Sequence, residues 1–299
     1  MNTHPIPGPE ALKLSEEKVG NLLARVRQEV EEGLLPAVQV AVAKDGQLAI
    51  FETLGQATNE SLFCLFSATK AITSSAIWIL LQEGKLDLSE RVAEIIPAFS
   101  SNGKDAVTVE HLLTHTAGFP DAPFRSLDWL DPGRRYERFA QWRLAWEPGS
   151  RYQYHPTSTM WVLAEILERR GGLAFQQFIR ERICEPLGLT DLYVGLPFDQ
   201  NERVVPCSHA GSPLTDAEYE AMGVPKPPVT EVTEEAILSF NDPEIRAVGV
   251  PGGGGFTNAA ELALYYQALL SGGRNGTQVW QAETLADARR VRTGDLLDP

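Results

Sequence analysis

From Ser15 to Glu32 the apolar residues Val19, Leu22, Leu23, Val26 and Val30 recur at three- and four-residue spacing. They share one face, which predicts a polar amphipathic helix. The period then changes. "AVQVAVAKDGQLAIFETLG" consists of two β-rich runs around Asp45-Gly46, a two-residue hairpin signal. "FCLFSATKAITSSAIWILLQEGKL" (Phe63–Leu86) follows, with a helix that should stop near Gly84 and is apolar enough to lie in the core. "VTVEHLLTHTAGF" predicts a short helix ending at Gly118, and Pro120 to Pro148 reads as loops and short helices. A helix is expected from Ser158 to Arg170, stopped by Gly171-Gly172, and another from Phe175 to Cys184. Pro206 to Pro228 has weak periodicity and reads as a long loop or lid. "PGGGGFTNAAELALYYQALLSGG" is a glycine turn and then a helix, with Asn258 as cap and Glu261 completing a capping box.

An early hairpin followed by a mostly helical middle fits an α+β fold, with helices packed on or beside an antiparallel sheet. The expected division is an α/β part from about 15–66 and 245–299 and a mainly helical part from about 67–244, in one domain spanning 1–299. Two strands do not make an independently stable sheet, so either further strands escape detection or the chain lacks some.

Composition narrows the class. The 299 residues are 43% hydrophobic and 22% charged, enough to bury a sizeable core. A formal net charge of -14 argues against nucleic acid or an anionic membrane as partner. Cys64, Cys184 and Cys207 are odd in number and widely spaced, which suggests reduced packing thiols and a cytoplasmic protein. No basic-then-apolar leader and no membrane-spanning run is visible.

Chemistry enters with S-x-x-K, which occurs three times: Ser15–Lys18, Ser101–Lys104 and Ser67–Lys70. The first lies among Glu16 and Glu17 at the start of a polar helix, and the second is the turn "SNGK". Only the third opens an apolar helix. There Lys70 can reach Ser67 across one turn, and burial would lower the lysine's pKa toward that of a base. Ser67 is then either a nucleophile or a helix cap, and the tetrapeptide alone leaves both open.

"LFSATKAITSSAIWILLQEGKLDLSERVAEIIPAF", "VTVEHLLTHTAGF", "WEPGSRYQYHPTSTMWVLAEILERRGG" and "GVPGGGGFTNAAELALYYQALLSGG" resemble, in the same order, the serine β-lactamase-like family. The similarity is to the branch of class C β-lactamases, D-aminopeptidases and family VIII carboxylesterases, and it spans about residues 20–282. It implies a β-lactamase/transpeptidase-like fold with Ser67 as nucleophile and Lys70 beside it. The family's Tyr-x-Asn falls on Tyr154, with Tyr152 a core aromatic. Pro156 stands where β-lactamases carry Asn, so a β-lactam's amide would lose its side-chain partner. His155 is expected in a structural or substrate-edge role. The family's third element, a Lys-Thr-Gly or His-x-Gly strand, has no match; "RTG" at Arg292–Gly294 reads as coincidence, and a C-terminally truncated chain is the expectation.

The resulting expectation is a serine hydrolase with Ser67, Lys70 and Tyr154 catalytic and His155 and Pro156 near a small-molecule ester or amide. The alternatives are a β-lactamase or D-amino-acid peptidase, and a non-catalytic scaffold on the same fold. No cofactor is expected. His111 and His115 have i, i+4 spacing but lack the Glu of H-E-x-x-H and a third ligand, so metal binding is not expected. Gly252–Gly255 lacks the Gly-Lys-Ser/Thr of a P-loop, and no G-x-S-x-G occurs.

Overall fold

The computed structural model describes residues 4–209, 211–212, 214–225 and 232–297. Ser15 accepts the Lys18 N–H and starts α1 (Glu16–Glu31). Only Leu23 of the anticipated apolar face is buried, and Leu22 is exposed, so α1 lies lightly on the hairpin. β1 (Ala37–Lys44) and β2 (Gln47–Gly55) pair antiparallel, Val38 opposite Leu54 and Lys44 opposite Gln47. Asp45 and Gly46 both have positive φ, 52° and 78°, as a twisted two-residue turn requires.

β3 (Phe63–Cys64) leads through a 3₁₀ turn, Phe66–Ala68, into α2 (Thr69–Gln82). This helix is the central post. Ile72, Ala76, Ile77, Ile79 and Leu80 are buried, and its buried hydroxyls are satisfied: Thr73 donates to Pro251 O at 2.8 Å, and Ser75 to Ile72 O at 2.9 Å. The chain continues through α3 (Val92–Ile95), α4 (Val109–Leu113) and α5 (Pro132–Gln141) to α6 (Ser158–Gly171), which packs against α2. Gly172, at φ 75°, ends α6 as the glycine pair foretold. α7 (Phe175–Ile179) continues as a π turn to Cys184, within the helix expected there.

β4 (Tyr193–Val194) follows, and then α8 (Asp216–Met222), α9 (Glu234–Leu238) and α10 (Pro243–Val248). The stretch 206–228, read as a long loop or lid, contains α8, started by a capping box of Thr215 and Glu218; residues 210, 213 and 226–228 of it lie outside the described residues. β5 (Gly255–Thr257) lies between β3 and β4 in a small antiparallel sheet. α11 (Ala259–Ser271) packs on the β1–β2 hairpin. Asn258 caps it by accepting the Glu261 N–H at 2.9 Å, but no capping box closes. The Glu261 carboxylate instead accepts from Thr190 N at 2.9 Å and Asp191 N at 2.7 Å, tying α11 to the approach to β4. β6 (Gly273–Arg274), β7 (Thr277–Gln278) and α12 (Ala282–Ala288) complete the described chain. Strands beyond the hairpin do exist, but each is only two or three residues long.

Candidate active site

Ser67 stands on a strained turn rather than inside α2. Phe66 has φ 44°, the left-handed region that costs a bulky residue energy, so the surroundings must impose it. They do so from both sides. Leu65 N donates to Gly255 O at 2.8 Å, and Gly255 N donates to Thr69 Oγ1 at 2.9 Å. A Cβ on Gly255 would lie 2.8 Å from Thr69 Oγ1, so glycine is what lets β5 press this closely against the start of α2. Ser67 is exposed at the end of this clamp.

Lys70, in the first turn of α2, reaches back to it. Its Nζ is 3.2 Å from Ser67 Oγ and donates to Gly252 O at 2.7 Å. The side chain is buried, and burial alone pushes its pKa down to about 8. The glycine run therefore does more than turn the chain: the Gly252 carbonyl holds the Lys70 ammonium beside Ser67.

Tyr154 closes the group. Its OH donates to Ser67 Oγ at 2.7 Å, and Lys70 Nζ lies 4.9 Å from its ring centroid. Burial raises the phenol's pKa, and the bond to Ser67 opposes that. Tyr154 thus stays protonated at neutral pH, whereas Lys70, with a pKa of about 8, has a minor neutral fraction there. A group that can accept a proton once neutral and a group that can donate one therefore flank a single hydroxyl.

His115 holds Tyr154 in place, a role not legible in "HLLTH". Its carbonyl accepts Gln153 N and its Nδ1 accepts His155 N, both at 3.2 Å, so it brackets Tyr154 from the residues on either side. Its ring sits 4.9 Å from the Tyr154 ring. Its own φ is 57°, a second strained residue at the site. Burial, then the nearby His155 and Lys70, lower its pKa to about 3, so the ring is neutral. His111 Nδ1 accepts Thr108 N at 3.2 Å within the cap of α4.

Of the two roles expected for His155, structural or at the substrate edge, its surroundings fit the structural one and not contact with substrate. His155 is fully buried. Nε2 accepts Phe119 N at 3.1 Å, so the ring proton sits on Nδ1 and goes to Gln153 O at 2.6 Å. Burial lowers its pKa to about 4. Both ring nitrogens are engaged in holding the 153–155 segment, and none is left for a substrate.

Pro156, by contrast, lines a cavity of about 310 Å³ that opens on Ser67. Phe66, Phe124, Trp161, Ile237 and Phe240 are its large apolar walls, and no charged side chain is among its described lining. A second cavity of about 490 Å³ is lined by Lys70 and His115 together with Arg292 and Thr293. Residues 292–294 form no strand there: Arg292 is tied to Glu110 at 2.7 Å and to Asp287 at 2.5 Å. A larger hollow of about 730 Å³ lies between the Asp45–Gly46 turn and β6–β7 and contains neither Ser67, Lys70 nor Tyr154.

The family model described as Beta-lactamase matches residues 22–297. The chain belongs to the beta-lactamase family. Its β-lactamase/transpeptidase-like fold is shared with a penicillin-binding protein homologue from Caulobacter crescentus. That protein is 29% identical, with a TM-score of 0.74 over 91% of this chain and 75% of the other. A family VIII carboxylesterase is 28% identical, with a TM-score of 0.74 over 95% of this chain and 76% of the other. An Escherichia coli (strain K12) protein, provisionally named a D-alanyl-D-alanine carboxypeptidase, is 27% identical over 93% of this chain and 70% of its own length. Membership of the beta-lactamase family makes the chain a relative of serine hydrolases. Among the described residues no helix is long and apolar enough to cross a membrane.

Proposed function

We propose that this member of the beta-lactamase family is a carboxylesterase acting on small esters with apolar acyl groups. Ser67 Oγ attacks the acyl carbonyl while its proton passes to the neutral Lys70 amine. Tyr154 gives its phenolic proton to the departing alkoxide, and water then clears the acyl-enzyme by the reverse traffic. The Ser67 N–H supplies one donor to the oxyanion.

The observation that carries the choice of ester is the uncharged cavity against Ser67. A peptide or β-lactam substrate brings a carboxylate, and the described lining of this cavity offers no cation to meet it. The Pro156 side chain likewise offers a β-lactam's amide neither donor nor acceptor. The family VIII relative supports the ester reading, and the penicillin-binding homologue keeps the peptidase reading as the rival.

The test compares p-nitrophenyl butyrate with nitrocefin on the same protein. Faster ester turnover is expected, and faster nitrocefin turnover would reverse the assignment. A fluorophosphonate that fails to attach to Ser67 would instead make the chain a scaffold.

A further inference from the structure

Two of the three thiols lie together beside the Ser67 turn. Leu62 and Val204 form a parallel bridge, with Leu62 N donating to Arg203 O at 2.8 Å and Val205 N to Leu62 O at 2.9 Å. This register brings Cys64 beside the 206–207 segment, one residue out of step with Cys207, and the two thiols are near enough for each to shift the other's pKa. Cys207 is clamped: its N–H donates to Asn241 Oδ1, and Asn241 Nδ2 donates to Cys207 O, both at 2.8 Å. Cys64 is bound into the active-site frame. Its sulfur lies 3.5 Å from Gly253 O, next to the Gly252 carbonyl that holds Lys70, and it accepts the N–H of the strained Phe66. Both cysteines are half-buried, whereas Cys184 is fully buried.

We propose that Cys64 and Cys207 form a redox site, in which a hydroperoxide joins them as a disulfide that shifts the turn bearing Ser67. The pair is chemically asymmetric, as such a site needs. The Cys64 thiol and the Arg246 charge favour the Cys207 thiolate and bring its pKa down to about 7, while Cys64 is pushed up. Cys207 is therefore the attacking sulfur. Its thiolate takes the terminal oxygen of the hydroperoxide and becomes a sulfenic acid, and the O–O bond breaks to release an alcohol after protonation. Cys64 then attacks the Cys207 sulfur. The S–S bond forms, the S–O bond breaks, and the hydroxyl leaves as water with the Cys64 proton. Two thiols lose two electrons, and the O–O bond gains them.

The link to Ser67 is mechanical. Closing the two sulfurs to a bond of about 2 Å pulls β3 toward Cys207 and draws the Cys64 sulfur away from Gly253 O. A displacement of about 1 Å at a reacting group can cost up to ~100-fold in rate, and a small shift of this turn should slow acylation about tenfold.

The experiment treats the reduced protein with hydrogen peroxide. Peptide mapping should show Cys64 joined to Cys207 within one chain and Cys184 still a free thiol, reversed by dithiothreitol. Fluorophosphonate labelling of Ser67 should slow about tenfold on oxidation and recover on reduction. In Cys207→Ser, no disulfide should form and peroxide should leave the labelling rate unchanged. A free Cys64 after oxidation, a disulfide between two copies, or Cys207 stopping at sulfinic acid would each overturn the proposal. Equal labelling rates in the two states would overturn the switch. Absence of labelling in the reduced protein would defeat the hydrolase reading instead, and the peptide map would still decide the disulfide.

Discussion

Ser67–Lys70 and Ser101–Lys104 carry the same spacing and nearly the same local geometry. Lys104 Nζ lies 3.1 Å from Ser101 Oγ, against 3.2 Å for the other pair, and each lysine also donates to a carbonyl at 2.7 Å. Burial lowers both lysines to about 8. Two features separate them. Ser101 spends its own proton on Ala140 O at 2.6 Å, so Lys104 has none to take. Ser67 instead receives Tyr154 OH and opens on a cavity, whereas Lys104 is sealed in with Ser101 O and Trp142 O around its ammonium. A short Ser–Lys distance and a depressed lysine pKa are therefore not enough to mark a nucleophile. The free proton, the third group and the opening make the difference.

The largest expected effect breaks the comparison at its active end. Ser67→Ala should lower ester turnover by at least ~10⁴-fold, and Tyr154→Phe by about 10²–10³-fold, with unchanged circular dichroism. If Tyr154→Phe kept full activity, the third group would not be what distinguishes the sites.

A titration sharpens the same contrast. With Lys70 near 8, the fraction of neutral amine falls as pH drops below that value. The logarithm of kcat/KM should therefore rise with pH at about tenfold per unit below pH 8 and level off above it. A flat profile from pH 6 to 9 would remove Lys70 as the base.

Lys104 should report on stability and not on rate. Its folded pKa lies below its unfolded value of 10.5, so between about 8 and 10.5 the unfolded chain binds more protons and unfolding free energy rises with pH. The burial penalty is present in full below pH 8 and is relieved by pH 10.5. Urea unfolding of wild type relative to Lys104→Met should show the wild type gaining about 3 kcal/mol across that window. No relative gain would mean that the lysine is solvated in a way its surroundings do not suggest.

The elements legible in the sequence were those with several turns or a dedicated turn signal: the hairpin at Asp45-Gly46, and the helices α2, α6 and α11. β3, β4 and β5 were not, because two or three residues cannot display an alternation. α8 was passed over although Thr215 and Glu218 carry its cap, because the surrounding prolines and glycines dominate the composition. At the site, Ser67 and Lys70 were legible as neighbours on one turn, and Tyr154 only through family resemblance. The brace from His115 was invisible, since it depends on a contact with residues some forty positions away. The choice between a structural and a substrate-edge role for His155 was open for a related reason: sequence gives its adjacency to Tyr154 but not the direction of its ring. "SNGK" was legible as a turn, but the burial of the Lys104 side chain within it was not.

The smallest effect belongs to Ser101→Ala, and its smallness is informative. The change deletes a hydroxyl that sits near a lysine of the same depressed pKa, so a rule based on Ser–Lys geometry alone would expect a catalytic loss. The local bonds predict otherwise. Ala140 O keeps the Asn102 side-chain donor at 2.9 Å, and Lys104 keeps the carbonyls of Ser101 and Trp142. Only the Ser101 hydroxyl's own bonds vanish, which should cost about 1 kcal/mol of unfolding free energy. Ester turnover by the folded protein should stay within about twofold of wild type, as for a substitution that touches no reacting group. A tenfold loss of kcat with unaltered thermal stability would show that the Ser101–Lys104 pair is coupled to the chemistry, and that the two sites differ less than their surroundings imply.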